Sequence, residues 1–186
     1  KKITLNKTSL AEHACSVEID ILKLPIGKQD QYAAAFGGLN LINFKSNGIT
    51  TVERIKKKGI TNFLKKNLLI INTGLRKNNK LILSDQIKNI KNDKTVIEHL
   101  KFMRDSVYEF KSSLLNHDIK KCGEVLHENW IRKKDLAKGV SNHNIDDMYK
   151  DSLKYGALGG KILGAGGRGY LMLICDQNSQ KKIIKK

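Results

Sequence analysis

The hydrophobic period changes near residue 75, where a strand-rich first part yields to a helical second. "LNLINF" (39–44) and "ITTVERI" (49–55) flank Asn47-Gly48, a strong short-range hairpin signal. "NLLIIN" (67–72) reads as a buried strand broken by Thr73-Gly74. Beyond residue 80, Val96, Leu100, Met103, Val107, Phe110 and Leu114 step by three or four, which sets them on one face of a long helix. Asp118 is placed to cap a helix carrying Ile119, Cys122, Leu126 and Trp130, and a further helix runs from about Asn144 to Tyr155. "YLMLIC" (170–175) is again a strand, and the Lys-rich end is expected to fray.

Two helices precede the hairpin. Thr8 or Ser9 is a cap candidate, Ser9-x-x-Glu12 has capping-box spacing, and Leu10, Ala14, Val17, Ile21 and Leu24 form an apolar stripe. Pro25 stops that helix, because a proline drives its predecessor out of the α region. A second helix follows Gly27 and closes at Gly37-Gly38. The pattern as a whole is α+β, with a division at about residue 75 into segments 1–75 and 76–186.

Charge narrows the function less than it first suggests. The net charge is +17, but only five of the 35 basic residues are Arg and the lysines are spread along the chain. Aromatics are 6%, few for a base-stacking surface, so no specific nucleic-acid partner is expected. No apolar run approaches the roughly 20 residues of a membrane span, and no secretory signal is visible. Cys15, Cys122 and Cys175 are isolated, which argues against a disulfide framework or zinc knuckle. A cytoplasmic setting fits. The chain lacks an initiator Met and opens on what reads as mid-domain sequence, so it is expected to be part of a longer protein.

"GGKILGAGGRGYLML" (159–173) contains Gly164, Gly166 and Gly169 in G-x-G-x-x-G order. A dinucleotide fingerprint requires strand, glycine turn, then helix; here a helix is expected to enter and a strand to leave. A phosphate loop of G-x-x-x-x-G-K-[ST] type fails too, since Lys161 precedes the glycines. Six glycines in eleven residues leave two readings: a tight turn using positive φ, or backbone that approaches a phosphate closely.

The second dense stretch is "PIGKQDQYAAAFGG" (25–38). Asp30 lies near a helix start beside Lys28, Gln29 and Gln31, a setting that favours a carboxylate. It suits either a general base for a hydroxyl or a plain helix-start aspartate. Twelve residues upstream, Glu18 is either a solvated helix-face glutamate or an oxygen ligand for magnesium, which takes one or two carboxylates beside phosphate oxygens.

Taken together, "VEIDILKLPIGKQDQYAAAFGGLNLINF" and "YGALGGKILGAGGRGYLMLI" resemble the second and third conserved blocks of the GHMP kinase superfamily of small-molecule kinases. "NTGLRKN" and "LHENWIRKKDLAKGVSNHNIDDMYKDSLKYGALGGKILGAGG" are similar to its heptose 7-phosphate kinase branch, so the likeness covers nearly the whole chain. The resemblance implies the latter half of an α+β nucleotide-binding domain followed by a ferredoxin-like α+β domain with extra helices. It implies ATP and magnesium as cofactors and a sugar phosphate as acceptor, phosphorylated at the anomeric hydroxyl for nucleotide-heptose and surface-glycan synthesis. Another acceptor of the superfamily, galactose- or mevalonate-like, or a non-catalytic fragment, stays open.

By position, the resemblance makes Asp30 the base or orienting group and Glu18 a magnesium ligand. Gly164, Ala165, Gly166, Gly167 and Arg168 would lie by the nucleotide phosphates. Thr73, Gly74 and Arg76 would line the substrate cleft, with Lys28, Gln29 and Gln31 as further substrate-side candidates. Two departures stand out. The superfamily's first, Ser-rich phosphate loop is absent from this sequence, which is therefore expected to bind ATP poorly by itself. Arg168 stands where such kinases usually carry another glycine.

Overall fold

The computed structural model describes residues 5–74 and 80–186. They form a helix-rich α+β chain with two small sheets and two compact units, Lys1–Lys57 and Lys58–Lys186. No helix among the described residues is long and apolar enough to cross a membrane.

The first unit runs α1 (Lys7–Cys15), a π-helical turn (Ser16–Ile21), α2 (Gln29–Phe36), β1 (Asn40–Phe44) and β2 (Thr50–Arg54). Asn6 caps α1 by accepting from Ser9 N at 2.8 Å, so Thr8 and Ser9 fall inside the first turn and the expected capping box does not form. The expected apolar stripe is also redistributed. A π turn carries more residues per turn than an α-helix, which rotates the faces: Val17 and Ile21 are exposed, whereas Ala11 and Cys15 are buried against Tyr32 with Ile19 beside them. The π-helical turn ends before Pro25, as the proline dictates. The second helix and the hairpin match their sequence signals. Gly37 closes α2 at φ +62°, Phe44 pairs Thr50, and Gly48 turns the chain at φ +84°.

The second unit runs α3 (Ile60–Asn67), β3 (Leu68–Asn72), α4 (Lys80–Asn92), α5 (Lys94–Leu115), α6 (Ile119–Lys134), α7 (His143–Lys154), β4 (Gly159–Ile162), β5 (Tyr170–Ile174) and α8 (Gln177–Ile184). Asp93, Asp118, Asn142 and Asp176 cap α5 to α8 through side-chain oxygens. The strands lie in the order β3-β5-β4, all antiparallel. β3 pairs residue for residue with β5, Leu68 opposite Ile174 and Asn72 opposite Tyr170. The compact boundary therefore falls at Lys57–Lys58, because a strand whose ladder lies in the second unit cannot be counted with the first.

Three further differences from the sequence reading lie in the second unit. The glycine stretch is entered by a strand, β4, and not directly by a helix. Helix α3 carries no entry signal in the sequence; Gly59 starts it in the left-handed region at φ +83°. The Lys-rich end is ordered as α8, since Asp176 accepts from Asn178 N and Ser179 N and Ile183 is buried in the core.

That core gathers Trp130, Val140, Ile145, Tyr149, Ile162, Leu171 and Leu173 between the sheet and helices α6 to α8. Each large apolar side chain fully buried there contributes about 1.5–3 kcal/mol. Helix α6 crosses β4 unusually closely. A methyl group on Gly123 would overlap Leu158 Cβ and stand 2.8 Å from the Leu158 carbonyl carbon, and one on Gly159 would collide with Gly123 O. Two glycines facing each other thus let a helix lie almost on the backbone of a strand.

Candidate functional site

In the first unit Glu18 and Asp30 line one groove of about 470 Å³ with Leu10, Ala14, Gln31, Ala34 and Ala35. The π turn presents Glu18, half-buried, while Asp30 lies exposed in the first turn of α2. Between them Gln31 is 6% exposed and donates from Nε2 to Glu18 Oε2. That bond fixes one carboxylate oxygen of Glu18 and leaves the other for a ligand. Gln31 Oε1 is buried with no hydrogen-bond partner among the described residues, and a buried polar atom without a bond is costly.

The remaining candidates from this segment separate. Lys28, at the N-cap position of α2, lines a different depression of about 270 Å³ with Glu12, Cys15, Asp20 and Tyr32. Gln29 is exposed at the first position of α2.

In the second unit the glycine loop joins β4 to β5 as the connection of an antiparallel hairpin. Gly166 and Gly167 adopt φ of +105° and +79°. Each also faces a neighbour: a methyl on Gly166 would stand 2.6 Å from Val140 O, and one on Gly167 would stand 2.6 Å from Ile82 Cδ1. Their small size therefore serves packing as well as turning. The loop's carbonyls are held from several elements. Lys133 Nζ, on the last turn of α6, donates to Ile162 O at 2.8 Å and Gly164 O at 2.5 Å. Asn142 Nδ2 donates to Gly167 O at 2.8 Å. Thr73 donates to Gly169 O from its backbone N at 2.8 Å and from Oγ1 at 3.2 Å. Gln86 Nε2 reaches Ala165 O at 3.5 Å, the limit of a hydrogen bond.

Of the sequence candidates here, Thr73 braces the loop from β3, and Gly74 N donates to Asn72 Oδ1 at φ +107°. Arg168 is exposed on the loop. Arg76 lies outside the described residues.

Lys133 was missed, although a signal existed. Extending the stripe Ile119, Cys122, Leu126, Trp130 by three residues lands on it, a lysine on the buried face. It is 7% exposed, and burial together with the nearby Lys161 ammonium pushes its pKa down to about 7. Burial also lowers the pKa of Lys161. Among the described residues neither ammonium pairs with a carboxylate.

These residues fit the cofactors implied by the sequence. Among the described residues no three of His, Cys, Asp and Glu cluster as a metal cage. One or two carboxylates beside phosphate oxygens is nevertheless the ordinary magnesium arrangement, and Glu18 is the carboxylate that would hold the ion in the groove it shares with Asp30. A glycine loop whose carbonyls are engaged elsewhere leaves amides for phosphate oxygens.

Residues 110–186 match the family described as GHMP kinases C terminal. Over 98% of its length the chain is 28% identical to D-glycero-alpha-D-manno-heptose 7-phosphate kinase of Campylobacter jejuni, covering 54% of that protein. It superposes on a D-glycero-D-manno-heptose 1-phosphate kinase from Bacteroides thetaiotaomicron with a TM-score of 0.73 at 25% identity, covering 98% of this chain and 49% of the other. Lactococcus lactis galactokinase complexed with galactose shares the fold at a TM-score of 0.75 and 16% identity, with 98% and 55% covered. The chain thus spans about half the length of these relatives.

Proposed function

We propose that this chain, which carries a GHMP kinase C-terminal domain over residues 110–186, belongs to an enzyme that transfers the γ-phosphoryl group of ATP to D-glycero-D-manno-heptose 7-phosphate. The anomeric hydroxyl is the nucleophile, and the product feeds nucleotide-heptose synthesis for surface glycans in the cytoplasm. Residues 1–75 would complete the nucleotide-binding domain of that enzyme, β3 apart, since its ladder is with β5, and 76–186 would form its C-terminal domain. The observation that carries the reading is the groove shared by Glu18 and Asp30, with Gln31 tied to one and lying next to the other.

In this scheme Asp30 accepts the proton of the attacking hydroxyl, or holds that hydroxyl in line. Its exposure at the start of α2 leaves the carboxylate free to face an acceptor. Gln31 orients Glu18 and would meet the acceptor where its side chain lines the groove. Magnesium, held through Glu18, would neutralise charge on the phosphates. Lys28, whose cation would suit the 7-phosphate, and Gln29 would contribute to acceptor binding, as would Thr73, Gly74 and Arg76. Gly164 to Arg168 receive the nucleotide phosphates. Catalysis of this kind rests on positioning and charge neutralisation.

The test uses the protein made from its whole coding region, with magnesium–ATP and ADP release as the readout. Asp30→Asn should cut kcat by about 10²–10⁴, the range for an acid–base group, with acceptor affinity nearly unchanged. Turnover close to wild type removes Asp30 from the mechanism. An acceptor panel of heptose 7-phosphate, galactose and mevalonate should give the highest kcat/KM with the first; a preference for either of the others overturns the acceptor assignment.

A further inference from the structure

The engaged carbonyls of the glycine loop determine where its amides point. In a trans peptide the C=O of one residue and the N–H of the next are antiparallel across the same plane, and the described residues contain no cis bond. Lys133 draws Gly164 O inward, so Ala165 N–H points away from α6. Asn142 holds Gly167 O, so Arg168 N–H points away from α7. Gln86 biases the Ala165–Gly166 peptide in the same manner. Among the described residues the Gly167 amide is the one loop amide from 164 to 168 that meets a backbone carbonyl, that of Val140.

We propose that Lys133, assisted by Asn142, is a positioning residue for the glycine loop: by holding the carbonyls of Ile162, Gly164 and Gly167 it presets the Ala165 and Arg168 amides as donors for a phosphate-class anion. This rests on the phosphate-loop reading above. A buried ammonium is an expensive way to satisfy two carbonyls, because desolvation opposes its charge, and its lowered pKa reports that cost. Helix α6 supplies the ammonium from its last turn, ten residues beyond the Gly123–Gly159 contact that seats the helix against β4. Lys133 would touch no substrate and act through the backbone alone.

The experiment measures the binding of inorganic tripolyphosphate to the whole protein by calorimetry, together with the ¹⁵N–¹H shift of Ala165. Lys133→Met keeps the length of the side chain and removes its donors. Asn142→Ser keeps a capping oxygen for Ile145 N, which Asn142 Oδ1 serves in α7, and removes the donor to Gly167 O. Each variant should weaken tripolyphosphate binding by about tenfold, the scale of one misdirected hydrogen bond. In Lys133→Met the Ala165 shift should no longer respond to the anion, and affinity for the sugar phosphate should hold. A Lys133 with only a structural role would lower the unfolding midpoint and leave tripolyphosphate affinity unchanged, which overturns the proposal. If Lys133→Met does not fold, unchanged affinity in the folded Asn142→Ser protein overturns it equally. Wild-type protein that binds neither tripolyphosphate nor ATP would instead defeat the phosphate-loop reading itself.

Discussion

Replacing Gly123 by Ala sets two effects of known size against each other. Gly123 is interior to α6, where alanine is favoured over glycine by about 1 kcal/mol. Against this stands the added methyl, which would overlap Leu158 Cβ and lie 2.8 Å and 2.9 Å from the Leu158 carbonyl carbon and oxygen. Those atoms belong to the backbone leading into β4 and to the first atom of a side chain, so no rotamer change relieves the overlap. Overpacking that must move backbone costs about 1–3 kcal/mol or more, and here it must also part the facing Gly159. With the overlap at the upper end of that range, about 2–3 kcal/mol, the clash wins by about 1–2 kcal/mol. Trp130, the chain's one tryptophan, is fully buried about two turns further along the same helix, so its fluorescence reports unfolding of the second unit directly. With a urea m-value of about 2 kcal/mol/M, the midpoint should fall by roughly 0.5–1 M. Gly27→Ala, where a methyl meets nothing within 4 Å, is the control and should stay within about 0.5 kcal/mol. A Gly123→Ala protein as stable as wild type, or more so, would refute the claim that this contact sets the seat of α6.

Lys133 gives a pH signature. Its folded pKa of about 7 lies below the roughly 10.4 of a free lysine, so between those values the unfolded chain binds more protons and stability rises with pH. Relative to Lys133→Met, wild type should gain up to about 1.4 kcal/mol per pH unit across the window from about 7.5 to 9, by urea denaturation; parallel curves would show that the ammonium is not desolvated. Cys122 and Cys175, each pushed up to about 11 by burial, act in the opposite sense above the ordinary thiol range, and the comparison cancels them because both proteins carry them. Asp176→Ala removes the cap of α8 and should cost about 1 kcal/mol, seen as a lower thermal midpoint, while a helix α8 content unchanged by circular dichroism with no loss of stability would contradict the capping role.

What could be read from the sequence follows from how local each signal is. The β1–β2 hairpin is specified by Asn47-Gly48 and by alternation on either side. Helix α5 shows itself through six apolar residues at helical spacing and needs no knowledge of its neighbours. Strand β4 is different: it is four residues long and begins with two glycines, a composition that reads as loop. It is a strand because β5 pairs with it and α6 covers it, and neither partner is nearby in sequence. Helix α8 was hidden by its lysines, since only Ile183 and Ser179 of it are buried. In the candidate site, Glu18 and Asp30 were legible as a spaced carboxylate pair. Their tie through Gln31 depends on the π turn, which no periodicity reveals. The carbonyl clamps around the glycine loop come from α4, α6, α7 and the end of β3, so only the folded chain brings them together.

The three cysteines, all free and buried, have a practical consequence for following how this chain opens. Cys15 belongs to the first compact unit, whereas Cys122 and Cys175 belong to the second, on the helix and on the residue after the strand that flank the core. Cys122 and Cys175 meet a thiol reagent only when their surroundings part, while Cys15, 6% exposed and lining a depression, reacts faster as its unit loosens, so alkylation rates time local opening. Cys15 clocks the carboxylate groove's own unit, and the other two clock the glycine-loop unit. A ligand that binds one unit should slow one clock and leave the other running, and mass spectrometry of the alkylated peptides would show which half of the chain received it.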